Sequence, residues 1–264
     1  KPDKKIEVKD RLAYSSFVID SRVDEMDKII NLCKLKTHQL MYMTLCVKNM
    51  YGIIPGLKKV EYHATAGRDR YLFASMLVDL FRTKNPVLNI VDGILGLEGN
   101  GPGTDGEPVK LGYLVIGEDG FAVDRVIPPL VGVNPDKVYT NAVYKEAILK
   151  GSEPEVEVLG DDPKEVYKKI KTPPDESMRP KGAFSALINI VKDNATAKPW
   201  FVKSRCTGCK ICVTHCPVKA LEYNGKEKGV ICDYNLCIRC FCCHEMCPDH
   251  AIDTKRGFLS FLIK

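Results

Sequence analysis

The sequence predicts an α/β domain, a sheet with flanking helices, followed by a smaller α+β domain made of two βαβ-type halves. Three observations lead there. From residue 5 to residue 159, short apolar runs of strand composition alternate with helical periodicities, as in a sheet covered by helices. The stretch 160–182 is polar and holds four of the prolines, which breaks that pattern. Beyond it one cysteine spacing occurs twice, and ten of the twelve cysteines lie after position 200. The implied organisation is an α/β domain over 1–165, a linker with a docking helix over 166–197, and a cysteine-rich domain with a tail over 198–264.

Composition bounds the rest. A chain of 264 residues with 45% hydrophobic content can bury a sizeable core. Net charge is +5, from 39 basic and 34 acidic residues. No dense Lys/Arg stripe interleaved with aromatics appears, so nucleic acid is not an expected partner. No apolar run approaches the ~20 residues that a spanning helix requires, so no membrane span is expected. The first residue is lysine rather than methionine, which reads as a processed or incomplete chain.

In order along the chain, 5–20 and 27–33 read as strands separated by acidic turn residues. The strand loses its periodicity at Lys34-Leu35-Lys36-Thr37-His38, and a helix is expected over 44–50. Residues 69–83 carry the clearest helical pattern, with Phe73, Met76, Leu77, Leu80 and Phe81 on one face. Asn85-Pro86 ends it, and 87–91 reads as a buried strand running into Asp92-Gly93. Gly101, Gly103 and Gly106 match the dinucleotide fingerprint in form. That fingerprint needs a helix directly after the glycines, and here Glu107-Pro108 and a strand over 110–116 follow. The expectation is therefore a glycine-rich loop carrying Glu98, Asn100 and Asp105. Helices are expected over 120–131 and 136–150, a short strand over 156–159, and an amphipathic helix over 183–192. The tail GFLSFLIK is apolar at Phe258, Leu259, Phe261 and Leu262.

The segment 205–250 reads RCTGCKICVTHCPVKALEYNGKEKGVICDYNLCIRCFCCHEMCPDH. Cys206, Cys209, Cys212 and Cys216-Pro217 repeat as Cys237, Cys240, Cys243 and Cys247-Pro248. Three closely spaced thiolates on one loop reach three corners of a cubane, and in two-cluster ferredoxins the fourth corner is capped from the other motif. The spacing thus predicts two [4Fe–4S] clusters, one on Cys206, Cys209, Cys212 and Cys247, the other on Cys237, Cys240, Cys243 and Cys216. Zinc would need CxxC pairs separated by a longer loop. A disulfide framework would need an oxidising compartment, and nothing here reads as a secretory signal. Cys232 and Cys242 fall off the spacing and are not expected to be ligands. Cys33 and Cys46 lie in apolar settings and are expected to be small buried side chains.

Over 198–257 this segment resembles bacterial-type two-cluster ferredoxins. The resemblance implies a ferredoxin-like domain, a redox partner protein as donor or acceptor, and a reducing, cytoplasmic compartment. Upstream, LCKLKTHQLMYMTLCVKNMYGIIPG and VDGILGLEGNGPGTDGEPVKLGYLVIGEDGFAVDRV resemble the family named domain of unknown function 362, over residues 20–160. Many of its members are similar to this chain in fusing such a domain to a two-cluster ferredoxin. A more distant similarity, to lactate racemase, draws notice to Lys36, His38 and Lys48.

Two functions follow as expectations. The first is an iron–sulfur redox protein passing single electrons through two clusters to a partner or to the upstream domain. The second is a ferredoxin-coupled oxidoreductase or reductive activator whose upstream domain binds a small molecule or metal cofactor. Its candidate residues are Lys36, His38 and Lys48 for an anionic group, with Asp92, Glu98 and Asp124 as acid–base or metal-ligand oxygens. Polar residues at the carboxyl end of a strand, beside a glycine loop, are where α/β sheets place ligands. Each also has a plain reading: His38 as a satisfied polar residue, Lys48 as a helix-face charge, Asp92 as a turn former, Glu98 and Asp124 as surface carboxylates.

Overall fold

Two long strands with alternating burial set the frame of the upstream half. The computed structural model describes residues 3–56, 58–103, 105–153, 155–173 and 197–256. It forms two compact units. The first takes Lys1–Tyr62, Asp69–Pro102 and Gly106–Pro173; the second takes His63–Arg68, Gly103–Asp105 and Pro174–Lys264. Both mix helices with sheet. Among the described residues no helix is long and apolar enough to cross a membrane.

In the first unit, β1 (Lys4–Glu7) and β2 (Ser16–Ile19) form an antiparallel hairpin where composition alone suggests one continuous strand. The buried Asp79 carboxylate fixes the loop between them, accepting from the amides of Leu12, Ala13 and Tyr14 at 2.8, 2.8 and 3.0 Å. After α1 (Ser21–Asp24) comes β3 (Ile30–His38), which turns tightly into β4 (Tyr42–Thr44). Then follow α2 (Cys46–Asn49), α3 (Lys58–Ala66) and α4 (Arg70–Lys84). β5 (Leu88–Gly99) returns parallel to β3, and β6 (Gly106–Gly117) runs back antiparallel, giving the order β4-β3-β5-β6. α5 (Gly120–Leu130), α6 (Tyr139–Ala147) and α7 (Pro163–Val166) complete the unit.

The helical periodicity of α4 is realised: Phe73, Met76, Leu77, Leu80 and Phe81 are all at most 2% exposed. Each such side chain contributes about 1.5–3 kcal/mol relative to exposure. Asp69 caps the start, accepting from Tyr71 and Leu72 amides at 2.9 and 3.0 Å, and Asn85 in the left-handed region ends it. Asp119 caps α5 in the same way, and Pro128 and Pro129 bring that helix to its end.

Several expectations change. The strand expected over 87–91 runs on to Gly99, through the Asp92-Gly93 pair that reads as a turn. Gly93 lies opposite Tyr113, and a Cβ there would come within 2.9 Å of the Tyr113 ring; the glycine admits the ring rather than bending the chain. Lys34 to His38, where the apolar periodicity lapses, is strand, with Leu35, Thr37 and His38 buried and Lys34 exposed. Residues 156–159 are not strand. Residues 168–171, inside the expected linker, are bonded to the first unit: Lys168 and Ile170 amides donate to Leu130 and Val131 carbonyls, and Ile170 is buried. The helix expected over 183–192 and the tail 257–264 lie outside the described residues.

The sheet of this unit is two-faced. Asn31, Cys33, Leu35, Asn89 and Val91 are buried, whereas Ile30, Leu32, Leu114 and Ile116 are 51–65% exposed. Neighbours in register share a face, so the exposed residues line one side. Across the buried face runs a polar chain: Asn49 Nδ2 donates to Asn31 Oδ1, Asn31 Nδ2 to Asn89 Oδ1, and Asn89 Nδ2 to the Glu118 carbonyl, at 2.8, 2.9 and 3.0 Å.

The second unit is built twice. β7 (Ala197–Phe201) pairs antiparallel with β10 (Ile252–Arg256), and β8 (Leu221–Tyr223) with β9 (Val230–Cys232). Between the strands sit one-turn helices, Ile211–Thr214 and Cys242–Glu245. The cysteine loops return 31 residues on, as Cys206 does at Cys237 and Cys216 at Cys247.

Candidate metal centre

The loops that carry the cysteines are shaped by left-handed residues at matching places. Gly208 and Arg239 (φ 77° and 56°), Lys210 and Phe241 (61° and 60°), and Lys219 and His250 (52° and 48°) recur in both halves. Non-glycine residues in this region carry a strain of about 1–3 kcal/mol each, so surrounding contacts must hold them. Lys210 and Phe241 stand directly before the one-turn helices as their left-handed N-caps. At Gly208 a Cβ would come within 2.5 Å of the Tyr223 hydroxyl, so a side chain there would have to displace the Tyr223 ring.

Two cavities result. Cys206, Cys209, Cys212 and Cys247 line one. Cys216, Cys237, Cys240 and Cys243 line the other. In each, three sulfurs come from one motif and the fourth from the other. The fourth cysteines accept matching hydrogen bonds: the Ala220 amide donates to Cys216 Sγ and the Ala251 amide to Cys247 Sγ, both at 3.2 Å. Between the cavities Leu221, Val230 and Ile252 pack with Cys212 into one apolar cluster. Burial pushes Cys212 up to about 11 and Cys243 well above the ordinary thiol range, so these sulfurs favour deprotonation only with a cation to bind. Among the described residues no three His, Cys, Asp or Glu side chains converge on a single ion. Two sets of four cysteines, each drawing three sulfurs from one motif and one from the other, fit a group with several metal corners.

The remaining thiols lie nearby without joining either set of four. Cys232 hydrogen-bonds Cys237, which lowers Cys237 and raises Cys232. Cys242 stands in the same relation to Cys240, which it lowers while being raised itself. Cys33 and Cys46 are buried side by side in the first unit, where the hydrogen bond between them and burial push Cys46 far up.

Further residues of the second unit support these loops without any signal in the sequence. The Arg68 guanidinium donates to the Cys237 carbonyl at 2.9 and 3.1 Å and to the Tyr234 carbonyl at 3.0 Å. Asp105 accepts from the Thr254 amide and hydroxyl at 3.0 and 2.7 Å, and its Oδ2 lies 3.4 Å from His244 Nε2. Nothing in local spacing links residues 68 or 105 to a cysteine loop more than a hundred positions away.

The upstream candidates are engaged in structural contacts. Asp124 is 1% exposed and not at the surface as its plain reading has it; Oδ1 and Oδ2 accept from the Cys46 and Val47 amides at 2.7 and 3.0 Å. Burial raises it to about 7, against the lowering effect of those amides. Asp92 pairs with Lys34 at 2.7 Å, which holds its carboxyl below the usual range. Glu98 accepts from the Lys171 amide at 2.9 Å. His38 Nδ1 accepts from the Leu40 amide at 3.0 Å and closes the β3–β4 turn. Lys48 lies 6.0 Å from the centroid of the Tyr51 ring, and Lys36 is half-buried between Thr44 and Leu97 in register. Asp92 belongs to the exposed sheet face and Asp124 to the helix side, so the six do not gather into one site. A cavity of about 350 Å³ along β6 and α5 is lined by none of them.

Residues 1–127 match the model of a domain of unknown function, DUF362, and residues 199–222 match a 4Fe-4S binding domain. The chain is 34% identical over 154 residues to a thylakoid-associated protein of Synechocystis, covering 58% of this chain and 48% of the relative. It therefore spans about half the length of that relative. It is also 36% identical over 61 residues to pyruvate synthase subunit PorD of Methanothermobacter marburgensis, covering 23% of this chain and 69% of that subunit. The chain carries a DUF362 domain over residues 1–127 and, in the same polypeptide, a 4Fe-4S binding domain over residues 199–222.

Proposed function

We propose that the chain is an electron-transfer protein whose second unit is a two-cluster ferredoxin-type module. Cys206, Cys209, Cys212 and Cys247 would hold one [4Fe–4S] cluster, and Cys237, Cys240, Cys243 and Cys216 the other. When bound, each group supplies one-electron chemistry within the range of about −700 to +450 mV, set by its surroundings. The observation that carries the reading is the crossed lining of the two cavities, three sulfurs from one motif and the fourth from the other. The chain's own residues then do four things. The left-handed turns aim the sulfurs, the Ala220 and Ala251 amides stabilise thiolate charge on the two crossing cysteines, Leu221, Val230 and Ile252 exclude water, and Arg68 fixes the loop before Cys237.

The likeness to a subunit of pyruvate synthase supports a module that serves a partner. Anaerobically purified protein is expected to contain about eight iron and eight sulfide per chain. Zinc in their place, without visible charge-transfer absorption, refutes the reading.

A further inference from the structure

The two cavities differ in charge. The first is lined by Lys203, Lys210 and Lys228, all exposed, together with Cys209, the most exposed of the eight motif cysteines. Its one carboxylate, Asp249, accepts from the Thr207 hydroxyl at 2.5 Å. Among the described residues the lining of the second cavity contains no charged residue, although Arg68 and Arg239 act on Cys237 from beside it. The surrounding sequence repeats the contrast: 203–228 holds six basic and two acidic residues, whereas 229–253 holds one basic and four acidic. Lys210 is steadied over the Tyr223 ring, 5.4 Å from its centroid. The adjacent Arg205 is taken by Asp253. Among the described residues, the lining of the first pocket carries three lysines and that of the second none, the guanidinium of Arg68 there being spent on backbone carbonyls of the Cys237 loop.

We propose that the mouth of the first cavity is the docking surface for an acidic one-electron carrier protein, with Lys203, Lys210 and Lys228 as its electrostatic contacts. This rests on the electron-transfer reading above. One electron crosses between the partner's centre and the group held by Cys206, Cys209, Cys212 and Cys247. The giver is oxidised by one electron and the taker reduced by one; no bond is made or broken and no proton moves. A cationic rim around a redox centre raises the encounter rate of anionic partners and lowers that of cationic ones. The exposed thiolate loop shortens the path from the surface. Three lysines grouped on one cavity, with Tyr223 already covered, fit an acidic protein surface better than a nucleic-acid backbone, which calls for an extended basic stripe.

The test uses the full chain, cluster-loaded and reduced, with two outer-sphere oxidants of opposite charge: tris(oxalato)cobaltate(III) and hexaamminecobalt(III). As ionic strength rises and the Debye length shrinks from about 30 to about 8 Å, oxidation by the anion is expected to slow about tenfold. Oxidation by the cation is expected to hold steady or quicken. The triple variant Lys203→Glu, Lys210→Glu, Lys228→Glu should reverse both trends at unchanged iron content. Should it load poorly, the triple Lys→Gln variant should abolish the preference for the anion. Equal rates and equal salt dependence for the two oxidants in the wild-type chain overturn the proposal while leaving the cluster reading intact. So does salt-sensitive binding to a duplex oligonucleotide that leaves both oxidation rates unaltered. A chain that takes up no iron overturns both.

Discussion

Replacing Asp124 by asparagine isolates an interaction that the fold carries at a cost. The carboxylate is enclosed at the start of α2 and accepts two backbone amides, yet burial outweighs them and raises it from 3.8 to about 7. A group that binds its proton more tightly when folded contributes most below its unfolded value, and that contribution is lost as pH rises through the folded one. At about 1.4 kcal/mol for each pH decade, the native state weakens by roughly 4 kcal/mol between pH 4 and pH 8. The asparagine of Asp124→Asn would keep one acceptor, turn a donor toward the second amide, and have no proton to release. Near pH 5 the protonated acid and the amide each present one acceptor and one donor, so the variant's cost there reflects the altered donor geometry, and it should shrink or change sign by pH 8, where the wild-type chain must ionise the buried group. Two measurements check this. Denaturant unfolding followed by circular dichroism at pH 5 and 8 gives the two stabilities. Infrared titration of the folded chain should show a protonated buried carboxyl that ionises near pH 7 and is missing from the variant. An Asp124 already ionised at pH 5, or a variant penalty that grows with pH, refutes the reasoning.

Other expectations concern the second unit. Cys232→Ser and Cys242→Ser should leave iron content unchanged, whereas Cys247→Ser should destabilise the cluster held by the first motif; iron analysis with electron paramagnetic resonance decides, and loss of iron from Cys242→Ser would place the ligand register one residue off. Gly208→Ala introduces a Cβ against Tyr223 in a left-handed backbone, a strain of about 1–2 kcal/mol before the clash, and should impair loading of the first cavity alone. Arg68→Ala removes the guanidinium from three carbonyls; iron of the second cavity should then be lost faster to a chelator, and Arg68→Lys should recover only part of the loss because it cannot fork between acceptors.

What was legible in the sequence is what depends on spacing. The α4 face follows from 3.6-residue periodicity, and the two cysteine loops from a repeat whose chemistry tolerates little variation. Where a residue type has two uses, sequence misleads. Asp92-Gly93 has turn composition, but its glycine makes room for Tyr113 on the next strand. Lys34 and Lys36 read as the end of a strand because lysine is scarce in sheets, yet they alternate with buried Leu35 and Thr37. Asp124 reads as a surface carboxylate because a single residue says nothing of the helix end it will meet. Arg68 and Asp105 act on groups 169 and 149 positions away, beyond any local pattern.

The open sheet face has a bearing on the behaviour of the chain in the test tube. Ile30, Leu32, Leu114 and Ile116 stand in water, with the Lys34–Asp92 pair among them. Sulfate and phosphate, being excluded from apolar surface, favour covering it, and the same ions screen the pair that keeps the face wet. Both effects act in one direction. The protein should therefore salt out early, bind a hydrophobic dye while fully folded, and stay dispersed longest in dilute chloride, with Leu32→Lys extending its solubility and leaving the cysteine loops unaltered.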